Sequence, residues 1–241
     1  ASFPNKIKIP EENRNMNAKE AAHLIDISAV RTHHTMSDIE EIVGYAKEYR
    51  FINVHVLPNW MKQLAEMLKD VDGVYAGGPV GFPSGAHKTQ TKILEAVGLI
   101  QDGIEEMDIV MNVGRFKNKE YDYVLNELKQ IIGLAKNAGR PILTKVLIEL
   151  NCLTEAEADK ACELVVESGA DFLKTGTGWV PGDANIERIR RIKKNLAGTG
   201  VKVKAAGGIR TRAEFDELLA MGVERFGINT QSAIEIVKSF E

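Results

Sequence analysis

The sequence predicts an α/β protein built as a single (β/α)8 TIM barrel, and three observations support that fold. Short apolar runs rich in Val and Ile alternate eight times with longer amphipathic stretches. The 241 residues are close to the ~250 that such a barrel usually contains. The main competing fold, a doubly wound open sheet that binds dinucleotides, needs a G-x-G-x-x-G turn after the first strand, and none follows it. We therefore expect one barrel domain over 1–241, with 1–20 as an N-terminal extension or helix.

The predicted elements follow one another at the spacing of the βα unit. The predicted strands are 24–28, 51–57, 73–80, 106–112, 141–149, 171–174, 201–206 and 223–227. The predicted helices are 37–49, 59–69, 87–102, 120–138, 154–168, 185–195, 211–221 and 230–240. Three of these helices are expected to begin with a capping box, at Ser37-x-x-Glu40, Thr154-x-x-Glu157 and Thr211-x-x-Glu214.

The composition is that of an ordinary globular protein, with 44% hydrophobic and 27% charged residues. A formal net charge of -3 gives no reason to expect a nucleic acid or an anionic membrane as partner. The sequence has no apolar run of the ~18 residues that span a bilayer and no apolar signal core near its start. Its two cysteines, Cys152 and Cys162, form no disulfide framework or metal-binding spacing. We expect a cytoplasmic protein.

Several strands carry charged residues on one face only. Alternate residues of a strand point the same way, and the apolar face of a barrel strand packs on the outer helices. The opposite, inward faces of the first, fourth, fifth, sixth and seventh strands carry Asp26, Asp108, Lys145, Lys174 and Lys204. Barrel enzymes keep their chemistry at the carboxyl ends of the strands. We therefore expect three lysines and at least two acids in the mouth of the barrel.

Three lysines in one low-dielectric mouth indicate covalent chemistry. Each additional cation makes its neighbours' charge more costly, which favours a neutral, nucleophilic amine near pH 7. Such an amine is suited to forming a Schiff base. The alternative is a set of internal salt bridges that fill the barrel, because structural ion pairs also occupy barrel interiors.

Glycines follow the last strands of the predicted barrel. Gly207 and Gly208 come directly after the seventh strand, Gly227 closes the eighth, and Gly178 lies beyond the sixth. The loops after strands 7 and 8 often bind phosphate through backbone N–H groups and a helix N-terminus. Beside the lysines, these glycines indicate a small anionic substrate.

Four segments carry a specific family resemblance: "EMDIVMNVG", "ILTKVLIE", "ADFLKTGTG" and "VKVKAAGGIRT". In this order and spacing they resemble the deoxyribose-phosphate aldolases, class I aldolases on a (β/α)8 barrel, over about 20–235. The resemblance implies a Schiff base on Lys174, with Lys204 as the neighbouring cation and Asp108 in a proton relay with Lys204. It implies no cofactor, no metal and a homodimer. It also implies that Gly207, Gly208 and the segment 227–230, with Gly227, Asn229 and Thr230, hold the phosphate. We add Asp26, Lys145, Thr177 and Gly178 as further candidate substrate-binding residues, with a spectator cation as the alternative for Lys145.

The chain departs from the family pattern around the substrate. Gly176 replaces a common serine, Trp179 stands at the lip, and "GINT" replaces a Gly-x-Ser-Ser segment; His55 stands where a cysteine is frequent. The family reaction cleaves 2-deoxy-D-ribose 5-phosphate to acetaldehyde and D-glyceraldehyde 3-phosphate. A related Schiff-base aldolase acting on a larger or non-phosphorylated substrate is the nearest alternative. A non-catalytic sugar-phosphate binding barrel is the third reading.

Overall fold

Eight parallel strands close into a barrel in the order β1 to β8, as the sequence predicts. The computed structural model describes residues 16–241; most of the predicted N-terminal extension lies outside them. The strands are β1 Ile25–Ala29, β2 Asn53–Val56, β3 Tyr75–Val80, β4 Glu106–Val110, β5 Leu143–Leu147, β6 Phe172–Lys174, β7 Lys202–Ala206 and β8 Arg225–Gly227. Each predicted strand is therefore present.

The helices form the outer layer. They are α1 Ala18–Ala22, α2 Met36–Tyr49, α3 Met61–Leu68, α4 Thr89–Gln101, α5 Val113–Lys117, α6 Tyr121–Lys136, α7 Glu155–Ser168, α8 Ile186–Asn195, α9 Arg212–Ala220 and α10 Thr230–Lys238. Short 3-10 turns occur at Pro58–Trp60 and Leu150–Cys152. The short α5 was not predicted, because five residues after a strand are too few to show a helical period. No helix within 16–241 is both long and apolar enough to cross a membrane.

The predicted helix starts are correct in two cases and wrong in one. Thr154 and Thr211 cap α7 and α9 through their boxes with Glu157 and Glu214. The α2 helix begins earlier than expected, after Thr35. There the Thr35 N–H and hydroxyl both donate to the Asp38 carboxylate, at 2.6 and 2.7 Å. The pattern at Ser37 was misleading because two overlapping Ser/Thr-x-x-acid sequences compete, and the earlier one satisfies the first turn.

The strand register sorts the inward side chains into levels. Lys174 on β6 pairs with Lys204 on β7 and with Leu147 on β5. Lys145 lies two residues before Leu147 and pairs instead with Asp108 and Phe172. Because inward side chains alternate along a strand, Lys145 is one layer deeper in the barrel than Lys174.

The outward faces of the strands build the main apolar core. Ile27, Val54, Ile109, Val146 and Leu173 are completely buried against the helical layer. These residues are β-branched or aliphatic, as strands covered on their outer face by helices require. The apolar alternation that predicted the strands thus leaves the inner face free for polar groups.

One buried ion pair ties α4 to α6. Lys92 and Glu127 have fully buried side chains, with 2.6 Å between Nζ and Oε1. Lys92 also donates to the Val110 carbonyl at 2.9 Å, and the Thr89 hydroxyl donates to Glu127 at 2.8 Å. Each charge therefore has a compensating partner, without which its burial would be costly.

Replacing Lys92 alone should destabilise the protein strongly. In Lys92→Met the Glu127 carboxylate loses its cation in a dry environment, and we expect the free energy of unfolding to fall by about 3–5 kcal/mol. Urea unfolding followed by circular dichroism measures the change. The double variant Lys92→Met/Glu127→Leu should recover most of the loss because no charge remains buried. A double variant no more stable than Lys92→Met would contradict this account.

Candidate active site

A cavity of about 430 Å³ opens at the carboxyl end of the barrel. Its wall contains ten of the twelve residues that the sequence analysis singled out: Asp26, Lys174, Thr177, Gly178, Lys204, Gly207, Gly208, Gly227, Asn229 and Thr230. The other two, Asp108 and Lys145, are completely buried beneath it. The barrel therefore brings together residues that are up to about two hundred positions apart in the sequence.

The Asp108 carboxylate lies at the centre of the floor of this cavity. Lys174 and Lys204 both donate to Oδ2, at 2.7 and 3.0 Å. Lys145 lies 3.1 Å from Oδ1, and Nε2 of His55 lies 3.1 Å from Oδ2. The sequence predicted that these lysines and this acid would converge, and the structure shows that they meet on one carboxylate.

The three interior lysines differ in how far their side chains are exposed to the cavity. The Lys174 side chain is 12% exposed, whereas those of Lys204 and Lys145 are 2% and 0% exposed. Lys174 is at the end of β6, where the chain leaves the barrel at its open end. It is therefore the interior amine that a small molecule entering the cavity can reach.

Lys145 lies beneath the cavity and not in its wall. It donates to Glu106 at 2.6 Å. Burial by itself would lower the pKa of Lys145, but Asp108, Glu106 and Asp26 together raise it above its usual value. Lys145 is consequently a permanently charged support for the acids below the cavity. Strand parity identified its face correctly but not its depth.

A second group of charges lies around Asp26. The Asp26 carboxylate lies 2.5 Å from Nζ of Lys204 and accepts a hydrogen bond from Arg225 at 2.7 Å. Arg225 also donates to Glu106 at 2.9 Å. The sequence analysis did not assign Arg225 or Glu106. Parity with Gly227 and with Asp108, two residues away on the same strands, was the signal that identifies both as inward-facing.

Burial and charge act in opposite directions on the acids. Burial alone would raise the pKa of Asp108, but His55 and the three lysines hold it well below its usual value. Burial would likewise raise the pKa of Asp26, which Arg225, Lys204 and Lys145 keep far below its usual range. Both groups are carboxylates at neutral pH.

Lys204 responds to burial differently. Burial lowers the pKa of Lys204 from 10.5 to about 8, although Asp108 and Asp26 both favour its charged form. Three carboxylates, those of Asp26, Glu106 and Asp108, face four cations, Lys145, Lys174, Lys204 and Arg225. Because the cations exceed the acids by one, the loss of one proton makes the cluster neutral rather than leaving an unpaired charge.

Two glycines on the cavity wall are explained by close packing. A Cβ on Gly227 would lie 2.9 Å from the Ala206 Cβ and 3.3 Å from Cε of Lys204, so Gly227 leaves room for the lysine stem. Gly208 has φ +83°, and a Cβ there would lie 2.5 Å from the Ala184 nitrogen. Their absence of side chains also leaves the backbone beside the cavity uncovered.

The far end of the cavity is formed by the loops after β7 and β8. Asn229 caps α10 by accepting a hydrogen bond from the Ser232 N–H at 3.0 Å. Arg210 is exposed at the same rim. The half-buried Gly207 and Gly208 and the positive end of the α10 helix lie at this part of the cavity, and such an end favours an anion.

Aromatic and cationic groups form the opposite rim. Trp179 is 36% exposed and contacts Phe82 edge-on, with 5.8 Å between ring centroids. The Arg31 guanidinium lies 5.3 Å from the centre of the Trp179 ring and donates to the Gly178 carbonyl at 3.3 Å. The hydroxyl of Thr177 is bonded to Glu149. The Thr177 hydroxyl therefore already has a hydrogen-bond partner within the protein.

Comparison with known proteins agrees with this geometry. Residues 12–229 match the family described as DeoC/LacD family aldolase. The deoxyribose-phosphate aldolase of Rhizobium meliloti (strain 1021) is 43% identical over 220 residues, which cover 91% of this chain and 87% of the relative.

Solved structures show the same likeness. The aldolase QR15 is 36% identical, with a TM-score of 0.83 over 92% of this chain and 96% of its own. The tetrameric deoxyribose phosphate aldolase from Aeropyrum pernix is 25% identical, with a TM-score of 0.83 over 93% and 92% of the two chains. Since sequence and barrel agree over nearly the whole chain, the protein belongs to the DeoC/LacD family of aldolases.

Proposed function

We propose that this protein is a class I aldolase that cleaves 2-deoxy-D-ribose 5-phosphate to acetaldehyde and D-glyceraldehyde 3-phosphate. The observation that best supports this function is the partly exposed amine of Lys174, which donates a hydrogen bond at 2.7 Å to the buried Asp108 carboxylate. Lys145 and Lys204, both almost fully buried, contact the same carboxylate. The substrate is that of the similar deoxyribose-phosphate aldolases. The resemblance also implies a homodimer, which stays a prediction.

The first steps form the imine. The neutral Lys174 amine adds to the C1 aldehyde of the open-chain sugar, and the resulting carbinolamine loses water to give an iminium ion. Loss of water requires a proton donor. The Lys204 ammonium lies within 3.0 Å of the same Asp108 oxygen as Lys174, so it is the donor nearest to the new C–N bond.

The iminium ion then makes cleavage of the carbon–carbon bond possible. As a base removes the C3 hydroxyl proton, the C2–C3 bond breaks, and its electrons move into the imine to form an enamine rather than a free carbanion. Asp108 is ionised but completely buried, so the proton reaches it through a bridging water. Glyceraldehyde 3-phosphate leaves as the aldehyde formed at C3.

The last steps return the enzyme to its starting state. The enamine takes a proton at C2, which the Asp108–Lys204 pair returns, and water hydrolyses the iminium ion to release acetaldehyde and the Lys174 amine. The substrate phosphate binds between the backbone N–H groups of Gly207 and Gly208 and the N-terminus of α10. No step needs a metal or cofactor.

A related aldolase that acts on a different substrate is the second candidate. Trp179 and Arg31 narrow one rim of the cavity. The side-chain oxygen of Asn229 accepts the capping hydrogen bond of α10, so it is already engaged within the protein. A substrate whose far end is longer or uncharged would contact Trp179, Arg31 and Asn229, in place of the two serine hydroxyls of the Gly-x-Ser-Ser segment. The proposed imine chemistry is the same in both cases. A barrel that only binds sugar phosphate has no use for a reachable lysine on a shared carboxylate.

Borohydride trapping should identify Lys174 as the imine-forming residue. After incubation with acetaldehyde, or with deoxyribose 5-phosphate, reduction should add a stable mass to the Lys174 peptide. Mass spectrometry locates the adduct. Lys174→Met should give no adduct there and should lose at least about 10³-fold in kcat, since the other lysine of the cavity wall, Lys204, is only 2% exposed.

Lys202→Met is the matched control for this experiment. Lys202 is an exposed lysine at the start of β7, and its loss should leave trapping and rate unchanged. An adduct with acetaldehyde alone would keep the chemistry and favour the second substrate candidate. Wild-type protein without an adduct under either condition would leave a binding protein as the better account.

The rate should fall on the alkaline side with a midpoint near pH 8. Lys204 is charged below its pKa of about 8 and neutral above it, so the proton donor for the dehydration step disappears as pH rises through that value. The profile of kcat against pH measures this limb. Lys204→Met should lose most of the rate and also the limb, whereas Lys202→Met should retain both. A flat profile to pH 10 would contradict the role given to Lys204.

The phosphate should contribute measurably to recognition. We expect kcat/KM for 2-deoxyribose 5-phosphate to exceed that for 2-deoxyribose by about 10- to 100-fold, the size of one or two charge-assisted hydrogen bonds. Steady-state kinetics with both sugars tests this expectation. Equal values for the two sugars would favour the alternative in which the substrate has no phosphate.

A further inference from the structure

The inward-facing histidine of β2 has no part in the steps above. His55 is 3% exposed, lines the cavity and lies beside the oxygen of Asp108 that both Lys174 and Lys204 contact. A buried imidazole at this position is costly unless its two nitrogens are satisfied. The question is which groups satisfy them.

The two ring nitrogens face groups of different character. Nε2 lies 3.1 Å from Oδ2 of Asp108, and Nδ1 contacts the side-chain amide of Asn53, which is fully buried. The Asn53 oxygen faces the ring in the structure, and the Asn53 amide nitrogen and Nε2 of His55 both lack a hydrogen-bond partner there, although Nε2 is in contact with Asp108. Two unsatisfied buried groups indicate that this orientation is not the stable one.

A 180° rotation of the Asn53 side-chain amide gives both nitrogens of the His55 ring a partner. It exchanges the amide oxygen and nitrogen, so that an Asn53 N–H donates to Nδ1 of His55. The ring proton is then on Nε2, where it points toward the Asp108 carboxylate. The opposite tautomer would place the Nε2 lone pair against a negative oxygen 3.1 Å away. Electrostatics therefore selects the Nε2–H form.

The ring is also neutral under working conditions. Burial lowers the pKa of His55 to about 4, more than the nearby Asp108 raises it. His55 therefore adds no charge to the cluster. It offers Asp108 a donor that does not titrate between pH 5 and 8.

Space for the ring comes from the neighbouring strand. Gly77 on β3 pairs with His55 in the register, and a Cβ on Gly77 would lie 2.4 Å from both Cε1 and Nδ1 of the ring. It would also lie 2.6 Å from the Asn53 side-chain amide. Real Cβ atoms do not approach that closely, so an alanine would displace the ring together with the Asn53 side chain that holds it. The histidine and the glycine are therefore parts of one arrangement.

We propose that His55 is a positioning residue for the reaction: held by Asn53 and admitted by Gly77, it donates its Nε2–H to Asp108 and orients that carboxylate between Lys174 and Lys204. The inference rests on the proposed aldolase function. Three donors then converge on Oδ2 while Lys145 holds Oδ1. Without His55 the carboxylate is free to rotate away from the position in which it serves both lysines.

Replacement of His55 should lower kcat while leaving KM nearly unchanged. His55→Leu keeps the volume but removes the donor, and we expect kcat to fall about 10- to 100-fold with KM changed less than about 3-fold. His55→Gln retains an N–H near the Nε2 position and should remain within about 5-fold of wild type. Borohydride trapping with acetaldehyde gives the amount of competent enzyme, to which each kcat is normalised.

A double-mutant cycle tests the pairing with Gly77 without relying on one variant. Gly77→Ala in wild type should lower kcat about as much as His55→Leu, because the methyl group displaces the ring. In His55→Cys the smaller side chain leaves room for the methyl group and lets the Asn53 amide, 2.6 Å from the new Cβ, turn away, so adding Gly77→Ala should change kcat less than about 3-fold. Equal effects of Gly77→Ala in both backgrounds would overturn the proposed arrangement.

A direct reading of the ring proton does not depend on aldolase activity. Two-bond ¹H–¹⁵N spectra of histidine-labelled protein, assigned with His55→Gln, should show the Nε2–H form unchanged from pH 5.5 to 8. The Nδ1–H form would overturn the inference. So would an active His55→Leu within about 3-fold of wild-type kcat. Wild-type protein that forms no imine would instead overturn the proposed function, and with it the role of His55.

Discussion

The buried Asp108 carboxylate is the group on which the rest of the site depends. A lone carboxylate with no exposed surface would be protonated, because burial disfavours its charge. It remains ionised because three lysines and His55 approach within 3.1 Å from four different strands. Only a closed barrel brings those strands around one point. The chemistry of the site is therefore tied directly to the closure of the sheet.

The interior of the barrel holds one more cation than it holds carboxylates. Four cations and three carboxylates share the interior, so one proton can leave without creating an unpaired negative charge. The cations differ in depth, and Lys174 is the lysine with the largest exposed fraction at the cavity, whereas Lys204 lines the cavity but is almost fully buried. Arg225 and Lys145 hold the acids in place from below. Lys145, whose pKa is raised, therefore lies in the deeper layer of the barrel, and Lys204, whose pKa is lowered, lies in the layer above it.

The catalytic groups and the rim are carried by different parts of the fold. Lys174, Lys204 and Asp108 belong to strands, whose register admits little change. Trp179, Arg31 and Asn229 belong to loops, where side chains change without disturbing the barrel. This separation allows the rim to vary while the strand residues beneath it stay in place. His55 and Gly77 show that a change on a strand requires a matching change on its neighbour.

Local periodicity in the sequence was sufficient to predict the eight βα units and the inward faces of Asp26, Asp108, Lys174 and Lys204. Both depend on interactions between residues a few positions apart, which an alternation of period 2 or 3.6 records directly. The depth of Lys145, the ion pairs of Arg225 and the fit of His55 against Gly77 could not be predicted in this way. They depend on the stagger between strands that are distant in sequence, and that stagger is set only when the barrel closes. The sequence by itself thus determined which side chains point inward; the tertiary structure decided which of them meet, and which one is exposed to the cavity.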